Sequence, residues 1–240
     1  MDDVSKEIAK RNTDYSNTWL KGKKEDIVSP GYFFQALDKQ LDEDPMVVLD
    51  DGKHTFLASE LMPVQKPRHF ISPTDFNCMG YSVPAAIATQ LAHPNKQVVA
   101  IIGDGAFQMT GLEAITAAAY ELPIMMFIFN DGQLGQISQF QKIPLNRNTC
   151  SVIGKANFEG VAMATGAHYI TIDNDNELEQ KIIEAIETSN DGKHVVVDIK
   201  IDYSQKTMMT KGVVKANFKR FPLKEKLRFL SRAAKRHLAG

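Results

Sequence analysis

The chain has 240 residues, of which 43% are hydrophobic and 24% charged, and its formal net charge is −1 at pH 7. This composition is ordinary for a globular protein and argues against a fibrous or disordered chain. No apolar run approaches the roughly 18 residues that a membrane-spanning helix needs, and the charged first residues show no secretory signal. We therefore expect a cytoplasmic protein.

The charged residues are unevenly distributed. Residues 211–240 hold ten lysines and arginines and one acid, Glu225, a net charge of +9 that leaves −10 for the remainder. The remainder has no stripe that combines basic with aromatic residues, so we do not expect nucleic-acid binding. The two cysteines, Cys78 and Cys150, lack the spacing of a metal site or a redox pair. We expect free, buried thiols, with a disulfide as the alternative.

Three segments follow one another along the chain: a polar N-terminal leader at 1–26, an α/β domain at 27–204, and a basic, amphipathic C-terminal tail at 205–240. The leader has one large apolar anchor, Trp19, and is expected to pack on another element or to be poorly ordered. In the tail, apolar residues recur at helical spacing, at Leu223, Leu227, Leu230 and Ala234. The alternatives for this helix are docking on its own domain, contact with a partner subunit and, least favoured, a membrane surface.

The domain begins with alternating helices and strands. Apolar residues at helical spacing predict a helix over 29–41, and the apolar run MVVLD predicts a buried strand over 46–50. A loop that contains DGKHT follows this strand. A second strand is predicted to end near 69–72, and a helix is predicted over 80–92.

The centre of the domain is a strand, helix and strand unit. The apolar runs VVAII at 98–102 and IMMFIF at 124–129 predict strands buried on both faces, with a helix over 111–122 between them. The elements that follow are a loop with Pro144, a helix over 158–165, a strand over 168–172, a helix over 176–189 and a strand over 194–201. This alternation predicts an α/β fold, a mostly parallel sheet with helices on both faces.

Polar residues follow both central strands. A right-handed crossover makes the strands parallel, which brings Asp104 and Asn130 to the same edge of the sheet. A carboxylate, an amide oxygen and backbone carbonyls are ligands that suit Mg²⁺, which keeps its other positions for water and phosphate. The glycines beside Asp104, Gly103 and Gly105, let the backbone approach an anion. The sequence therefore predicts a metal-bridged phosphate, although GDG by itself is also a common tight turn.

The whole pattern, GDG followed at the end of the next strand by Asn and Gly, resembles the fingerprint of thiamine diphosphate (ThDP) enzymes. The resemblance extends over about 29–203 and is to the acetolactate synthase and pyruvate oxidase group, in their diphosphate-binding domain only. It implies that Mg²⁺ is held by the side chains of Asp104 and Asn130 and the carbonyl of Gly132. It also implies a three-layer α/β/α domain that binds the cofactor's diphosphate.

Three further segments resemble cofactor-binding segments of this family. CMGYSVPAAI resembles TMGYGLPAAIGA, which implies that Met79 supports the bent cofactor, with Cys78 beside it, and that the Asn77 carbonyl accepts from the cofactor's amino group. DDGKHT resembles DVGQHQ, which implies a cationic or donor His54 on the diphosphate, with Lys53 in place of an uncharged amide. The remaining expected phosphate contacts are the N–H groups of Ala106 and Phe107 and the turn at Leu134 and Gly135.

The substrate side of the site departs from acetolactate synthases. LGQISQFQ resembles LGMVRQWQ, which implies that Gln136 and Phe140 line the pocket in place of Met and Trp. The family's catalytic Glu belongs to a separate pyrimidine-binding domain, and nothing in this chain resembles that domain. We therefore identify no catalytic residue here and expect a domain or subunit, inactive alone, of a 2-oxoacid decarboxylase or carboligase, a lyase or transferase.

Several alternatives stay open. The expected partners are the missing pyrimidine-binding half and a small 2-oxoacid, in a homo- or hetero-oligomer. The chain is interpreted either as part of a longer protein or as the diphosphate-binding subunit of a split decarboxylase of the phosphonopyruvate or sulfopyruvate kind. A non-catalytic assembly module that uses the basic tail is the alternative from another functional class.

Overall fold

The computed structural model describes residues 3–64 and 66–238, so the ends of the leader and the tail, at 1–2 and 239–240, lie outside the described residues. Six strands form one sheet in the order β2-β1-β3-β4-β6-β5, and every neighbouring pair is parallel. The strands are β1 (Met46–Leu49), β2 (Phe70–Ile71), β3 (Val98–Gly103), β4 (Ile124–Asn130), β5 (His168–Ile172) and β6 (Val195–Lys200). The predicted α/β fold with a parallel sheet is confirmed.

Eleven α-helices connect and cover the strands in the described part of the chain. They are α1 (Asp3–Asn17), α2 (Pro30–Gln40), α3 (Lys53–Leu61), α4 (Ser82–Ala92), α5 (Asp104–Thr110), α6 (Ala114–Ala119), α7 (Gly135–Leu145), α8 (Phe158–Thr165), α9 (Leu178–Asn190), α10 (Val213–Arg220) and α11 (Leu223–Leu238). A short 3-10 helix, Gly111–Glu113, joins α5 to α6.

The sheet separates two apolar cores, as a three-layer domain requires. Because side chains alternate along a strand, Met125 and Phe127 of β4 face one core while Met126 and Ile128 face the other. Helices α2, α3 and α9 cover the first core, and α4, α6 and α8 cover the second. The central strands are buried on both faces, which explains why their sequences are almost wholly apolar.

Three local predictions are wrong. The DGKHT segment is predicted to be a loop, but Lys53 begins α3, where the Gly52 N–H donates to Thr55 Oγ1 (3.1 Å). The single helix expected over 111–122 is divided into the 3-10 helix Gly111–Glu113 and α6, and an additional helix, α5, begins at Asp104 directly after β3. The predicted loop with Pro144 is the last turn of α7, and Asn146, with a left-handed φ of 56°, caps the end of this helix.

The two ends of the chain are helical. Helix α1 has no buried residue, but Trp19 beyond it is 4% exposed and belongs to the first core. Helix α11 begins at Leu223, as its spacing predicts, and lies against α7, where Asn146 Nδ2 donates to the Arg232 carbonyl.

Both cysteines are free, as predicted, but they are exposed rather than buried. They lie in loops, Cys78 before α4 and Cys150 between α7 and α8, where no core covers them. In the described residues, no helix is long and apolar enough to cross a membrane.

Candidate functional site

The two polar residues predicted to meet do follow neighbouring strands. Strands β3 and β4 pair in parallel with Gly103 opposite Phe129, so the next residues along the chain are Asp104, which begins α5, and Asn130, which ends β4. A cavity of about 60 Å³ opens at this carboxyl edge of the sheet. Ten of the predicted site residues line it: Lys53, His54, Met79, Gly103, Asp104, Gly105, Ala106, Leu134, Gly135 and Gln136.

Asp104 lies at the first position of α5 and is 3% exposed. Its Oδ1 accepts from the Gly105 N–H (2.7 Å), and its Oδ2 accepts from the N–H groups of Gly132 (2.7 Å) and Asp131 (3.2 Å). Burial, helped by the charge of Asp131, raises the pKa of Asp104 to about 6 against the opposing effect of these N–H donors. A buried carboxylate of this kind gains from a cation placed beside it.

Asn130 and Gly132 lie next to Asp104, although neither lines the cavity. Asn130 Nδ2 donates to Asp198 Oδ1 (3.0 Å), and its side chain lines a neighbouring crevice between β4, β5 and β6. Gly132 has a left-handed φ of 69°, and its carbonyl accepts from the Ile153 N–H (3.2 Å). A carbonyl oxygen has a second lone pair, so this contact leaves it able to accept again.

His54 is a buried side chain of the cavity with one ring nitrogen that lacks a partner in the described residues. It is 3% exposed, and its Nε2 has no hydrogen-bond partner in the described residues. The ring fits between Gly52 and Gly103, where an added Cβ would come within 2.7 Å and 3.0 Å of its Cε1. Burial lowers the pKa of His54 to about 4, against the opposing effects of the Asp50 carboxylate and a hydrogen bond to the Asp50 backbone.

The structure therefore makes His54 neutral rather than cationic near pH 7. A neutral imidazole donates from one nitrogen only, and the bond to the Asp50 backbone occupies the other nitrogen. Donation from Nε2 to a phosphate oxygen accordingly needs the other tautomer or a bound proton.

Lys53 lies across the cavity from α3. Its Nζ is 3.2 Å from Asp131 Oδ2 and 4.6 Å from the centroid of the Tyr203 ring. Burial raises the pKa of Tyr203 well above its ordinary value, and the Asp131 and Asp104 carboxylates add to the effect, so its phenol stays protonated. Lys53, Asp131 and Tyr203 thus form a charged and aromatic cluster at one side of the cavity.

Hydrogen bonds to Asp50 fix the turn that carries Met79. The buried Asp50 carboxylate accepts from the Gly80 N–H (2.9 Å), the Ser82 N–H (2.8 Å) and the Ser82 hydroxyl (2.8 Å). Gly80 has a φ of 83°, a conformation that favours glycine. Met79 is half-buried at the cavity, whereas Asn77 and Cys78 are exposed in the preceding loop.

The segment after Gly132 closes the other side of the cavity. The Leu134 N–H donates to the Ser151 carbonyl (2.7 Å), which fixes the start of α7. Gln136 Oε1 is buried without a partner in the described residues, and Phe140 is 40% exposed on the same helix. Of these predicted pocket residues, only Gln136 lines the cavity.

The predicted phosphate contacts at α5 concern its backbone. A Cβ added to Gly105 would come within 2.6 Å of Leu134 Cδ2 and 3.3 Å of Met79 Cε, so glycine keeps this approach open. Ala106 lines the cavity, while the Phe107 side chain is buried against Phe158 with ring centroids 5.4 Å apart. The first N–H groups of any α-helix lack partners within the helix.

The charged groups around the cavity favour a bound cation. In the described part of the chain its lining has three carboxylates, those of Asp51, Asp104 and Asp131, against the single ammonium of Lys53. An anion such as a phosphate would be repelled from this set unless a metal ion entered with it. No cluster of three or more His, Cys, Asp or Glu side chains suited to a metal occurs in the described residues. The predicted metal ligands are one carboxylate, one amide and one backbone carbonyl. Only the carboxylate, that of Asp104, belongs to these four residue types, so the predicted site is not a cluster of this kind.

Comparison with known proteins identifies the family. Residues 50–199 match a family model described as "Thiamine pyrophosphate enzyme, C-terminal TPP binding domain", where thiamine pyrophosphate is another name for ThDP. This match covers more than half of the chain. The chain belongs to this family. The predicted relationship to ThDP enzymes, restricted to their C-terminal cofactor-binding domain, is therefore confirmed.

Similar curated proteins of this ThDP family are acetolactate synthase large subunits. The chain is 35% identical over 182 residues to the one from Buchnera aphidicola subsp. Schlechtendalia chinensis, which is 75% of this chain and 32% of the relative. It is 33% identical over 180 residues to the isozyme 3 large subunit of Escherichia coli (strain K12), 74% of this chain and 31% of the relative. The chain thus spans about a third of the length of these relatives.

Sequence reasoning missed several residues of the site. Asp50, Asp131 and Tyr203 all follow the ends of strands at the carboxyl edge, the same signal that identified Asp104 and Asn130. Asp198 was missed for another reason, because it lies inside β6 among apolar residues. A lone acid within a buried strand is itself a signal, since burial of a charge needs a partner, here Asn130 and the Tyr169 hydroxyl.

Proposed function

We propose that this chain is the ThDP- and Mg²⁺-binding part of a 2-oxoacid decarboxylase or carboligase similar to acetolactate synthase. The observation that carries the proposal is the buried Asp104 carboxylate at the carboxyl edge of a parallel sheet, beside a cavity with an unpartnered His54 nitrogen. Ligands of such sheets bind in the crevice outside that edge. The family match, which includes this edge, supports the same cofactor.

The residues in and beside the cavity fit a metal-bound diphosphate. In this proposal Asp104, Asn130 and the Gly132 carbonyl hold Mg²⁺, while His54 and the turn at Gly103 and Gly105 meet the phosphates. The remaining contacts are those of Lys53, Asn77, Cys78, Met79, Ala106, Phe107, Leu134 and Gly135. Bound ThDP would supply the carbanion chemistry, and these side chains would bind and orient it.

The metal is supported by the charges of the site. A diphosphate is strongly anionic at neutral pH, and the three carboxylates of the lining would oppose it. A divalent cation offsets the repulsion between the carboxylates and the diphosphate, because it binds a carboxylate and a phosphate at the same time. Mg²⁺ keeps several positions for water and phosphate, which agrees with a protein ligand set as small as this one.

The size of the cavity supports a missing partner. At about 60 Å³ it is far smaller than the roughly 300–1,000 Å³ of typical ligand sites, so it holds only one end of a cofactor. We place the pyrimidine end, and the Glu that this family uses there, on a separate domain or subunit. A free-standing split-enzyme subunit and a part of a longer protein both satisfy this arrangement.

An apolar surface beside the cavity fits such a partner. Phe76, Met109, Leu112 and Val152, which we call the rim surface, are between 63% and 90% exposed. Their elements adjoin the cavity: Phe76 precedes Met79, Met109 follows Asp104 on α5, and Val152 bridges Gln133. A partner domain at the cavity would cover apolar side chains of this kind.

The acetolactate synthase relatives support a decarboxylase or carboligase reaction. A small 2-oxoacid is the proposed substrate, with Gln136 and Phe140 on its side of the site. The assembly-module alternative is disfavoured, because a module without cofactor has no use for a buried, unpartnered His54 nitrogen next to Asp104.

Calorimetric titration of ThDP into the chain with Mg²⁺ tests the proposal through Asp104→Asn. The substitution keeps the size of the side chain but removes the one ionised metal ligand, so we expect affinity to fall by about a hundredfold or more. Asp191→Asn, which removes an exposed acid at the end of α9, is the control and should bind as the wild type does. Equal binding by Asp104→Asn and the wild type would refute the metal assignment.

A further inference from the structure

Lys53 is a cation held inside the proposed diphosphate site by contacts that leave it able to bind more. Its side chain is 21% exposed, and that of its ion-pair partner Asp131 is 18% exposed. An ammonium group has three N–H donors, and the contact with Asp131 Oδ2 is the one hydrogen bond found for Nζ in the described residues. At 3.2 Å this contact is longer than the roughly 2.7–2.9 Å of a strong charge-assisted bond.

The ammonium also lies against the start of α7. A Cβ added to Gly135 would come within 2.5 Å of Lys53 Nζ, so the charge lies beside the first residue of this helix. The first N–H groups of a helix attract anions, and a lysine beside them adds to that attraction. Lys53 and the α7 N-terminus therefore favour an anion at the same place.

A second observation points to a ligand there. The next residue, His54, lines the same cavity and has a buried Nε2 without a partner in the described residues. Lys53 Nζ and His54 Nε2 are thus two nitrogen atoms on adjacent residues of α3, one with donors to spare and one with no contact. A phosphate oxygen accepts from the Lys53 ammonium directly, and from His54 Nε2 once that nitrogen carries a proton.

We infer that Lys53 is a second cation of the diphosphate site: it pairs with Asp131 when the site is empty and binds a phosphate oxygen when a diphosphate enters. This inference rests on the proposed function, and it deepens it. Lys53 and the metal then each neutralise part of the negative charge of the diphosphate. The chain should consequently depend less on the metal for diphosphate binding than a variant with a neutral residue at this position.

The two roles of Lys53 have opposite consequences for the metal. In the empty chain Lys53 lies 3.2 Å from Asp131, so its charge opposes a divalent cation at the neighbouring Asp104. Its removal should therefore leave the affinity for Mg²⁺ alone unchanged or raise it. The same removal should weaken binding of the diphosphate.

The test is calorimetric titration of the full chain with Mg²⁺ alone and with inorganic pyrophosphate, in the presence and absence of Mg²⁺. For Lys53→Gln we expect pyrophosphate affinity to fall roughly tenfold or more, the effect of losing a hydrogen bond between charged groups. Lys53→Arg, which keeps the charge, should recover part of the loss. Lys39→Gln, which breaks an exposed ion pair with Glu179, is the control and should bind as the wild type does.

Three results would overturn the inference. Unchanged pyrophosphate affinity in Lys53→Gln, with wild-type binding intact, would remove Lys53 from the site but leave the proposed function in place. An equal loss of Mg²⁺ and pyrophosphate binding would show that Lys53 only maintains the structure. A wild-type chain that binds no pyrophosphate with Mg²⁺ would refute both this inference and the proposed function.

Discussion

His54 lies on the first turn of α3 with 3% of its surface exposed and one ring nitrogen without a partner in the described residues. An unpaired buried nitrogen costs about 1–3 kcal/mol, so its retention is hard to attribute to folding. Asp104, which follows β3, is also buried, and this burial raises its pKa and so disfavours its charged form. Both side chains gain if a ligand enters the cavity, which is why we assign them to binding rather than to stability.

The burial of His54 predicts a dependence of stability on pH. The unfolded chain binds a proton at His54 near the ordinary pKa of 6.5, whereas the folded chain binds it only near 4. Between these values the unfolded state holds more protons, so acidification favours unfolding. The expected loss is about 3 kcal/mol of the free energy of unfolding from pH 7 to pH 4.

Urea unfolding of the wild type and His54→Gln at several pH values measures this loss. Other groups titrate in the same interval, so the quantity of interest is the difference between the two chains, which should shrink or reverse as pH falls. His93→Gln, at an exposed histidine, should leave the wild-type profile in place. Parallel profiles for the wild type and His54→Gln would contradict the burial of a neutral imidazole.

At the scale of elements, Asp50 connects β1 to the turn before α4. It follows the last residue of β1, and its carboxylate accepts from the backbone of Asp51, Gly80 and Ser82 and from the Ser82 hydroxyl. These contacts fix the turn that presents Met79 to the cavity. Hydrogen bonds to a charged acceptor are stronger than those between neutral groups.

Asp50→Asn should therefore destabilise the fold. The amide keeps one oxygen but turns an NH₂ group toward N–H donors, so we expect a loss of about 2–4 kcal/mol in the free energy of unfolding measured in urea. Ser82→Ala, which removes a single hydroxyl donor, should cost only about 1 kcal/mol. If Asp50→Asn cost no more than Ser82→Ala, the carboxylate would not be the anchor of the turn.

The elements also show what the sequence can predict. Strands β3 and β4 are predicted to within a residue of their ends, because long apolar runs have few alternatives to burial in a parallel sheet. Helices α3 and α7 escape prediction because DGKHT and LGQISQFQ have no clear apolar periodicity. Their starts are fixed instead by capping contacts and by a bond to Ser151, which only the folded chain brings together.

The candidate site shows the same limit. The rule that ligands bind at the carboxyl edge of a parallel sheet is enough to single out Asp104 and Asn130 from the sequence alone. The ion pair of Lys53 with Asp131 joins residues 78 positions apart, and the hydrogen bond from Asn130 to Asp198 joins residues 68 positions apart. Such contacts depend on side-chain packing, which residue types alone do not determine.

At the scale of the whole molecule, the chain forms an α/β domain, and we propose that its cavity is one half of a cofactor site. Two cores and a six-stranded sheet are present, yet the cavity is small and the rim surface beside it is exposed. The chain spans about a third of its acetolactate synthase relatives, which agrees with a partner domain elsewhere. Helix α11 contacts α7 but leaves Leu223, Leu227 and Leu230 exposed. One apolar face of the tail is therefore uncovered.

We propose that Asp104, Asn130 and the Gly132 carbonyl hold the metal that binds a diphosphate. Crystals of the chain grown with Mn²⁺ and pyrophosphate test it directly, because anomalous scattering locates Mn²⁺ without reference to the protein. We predict one Mn²⁺ at bonding distance from all three groups, with pyrophosphate oxygens among its other ligands. A Mn²⁺ bound elsewhere at this edge, for example between Asp131 and Asp198, or pyrophosphate bound with no metal beside Asp104, would refute these ligands.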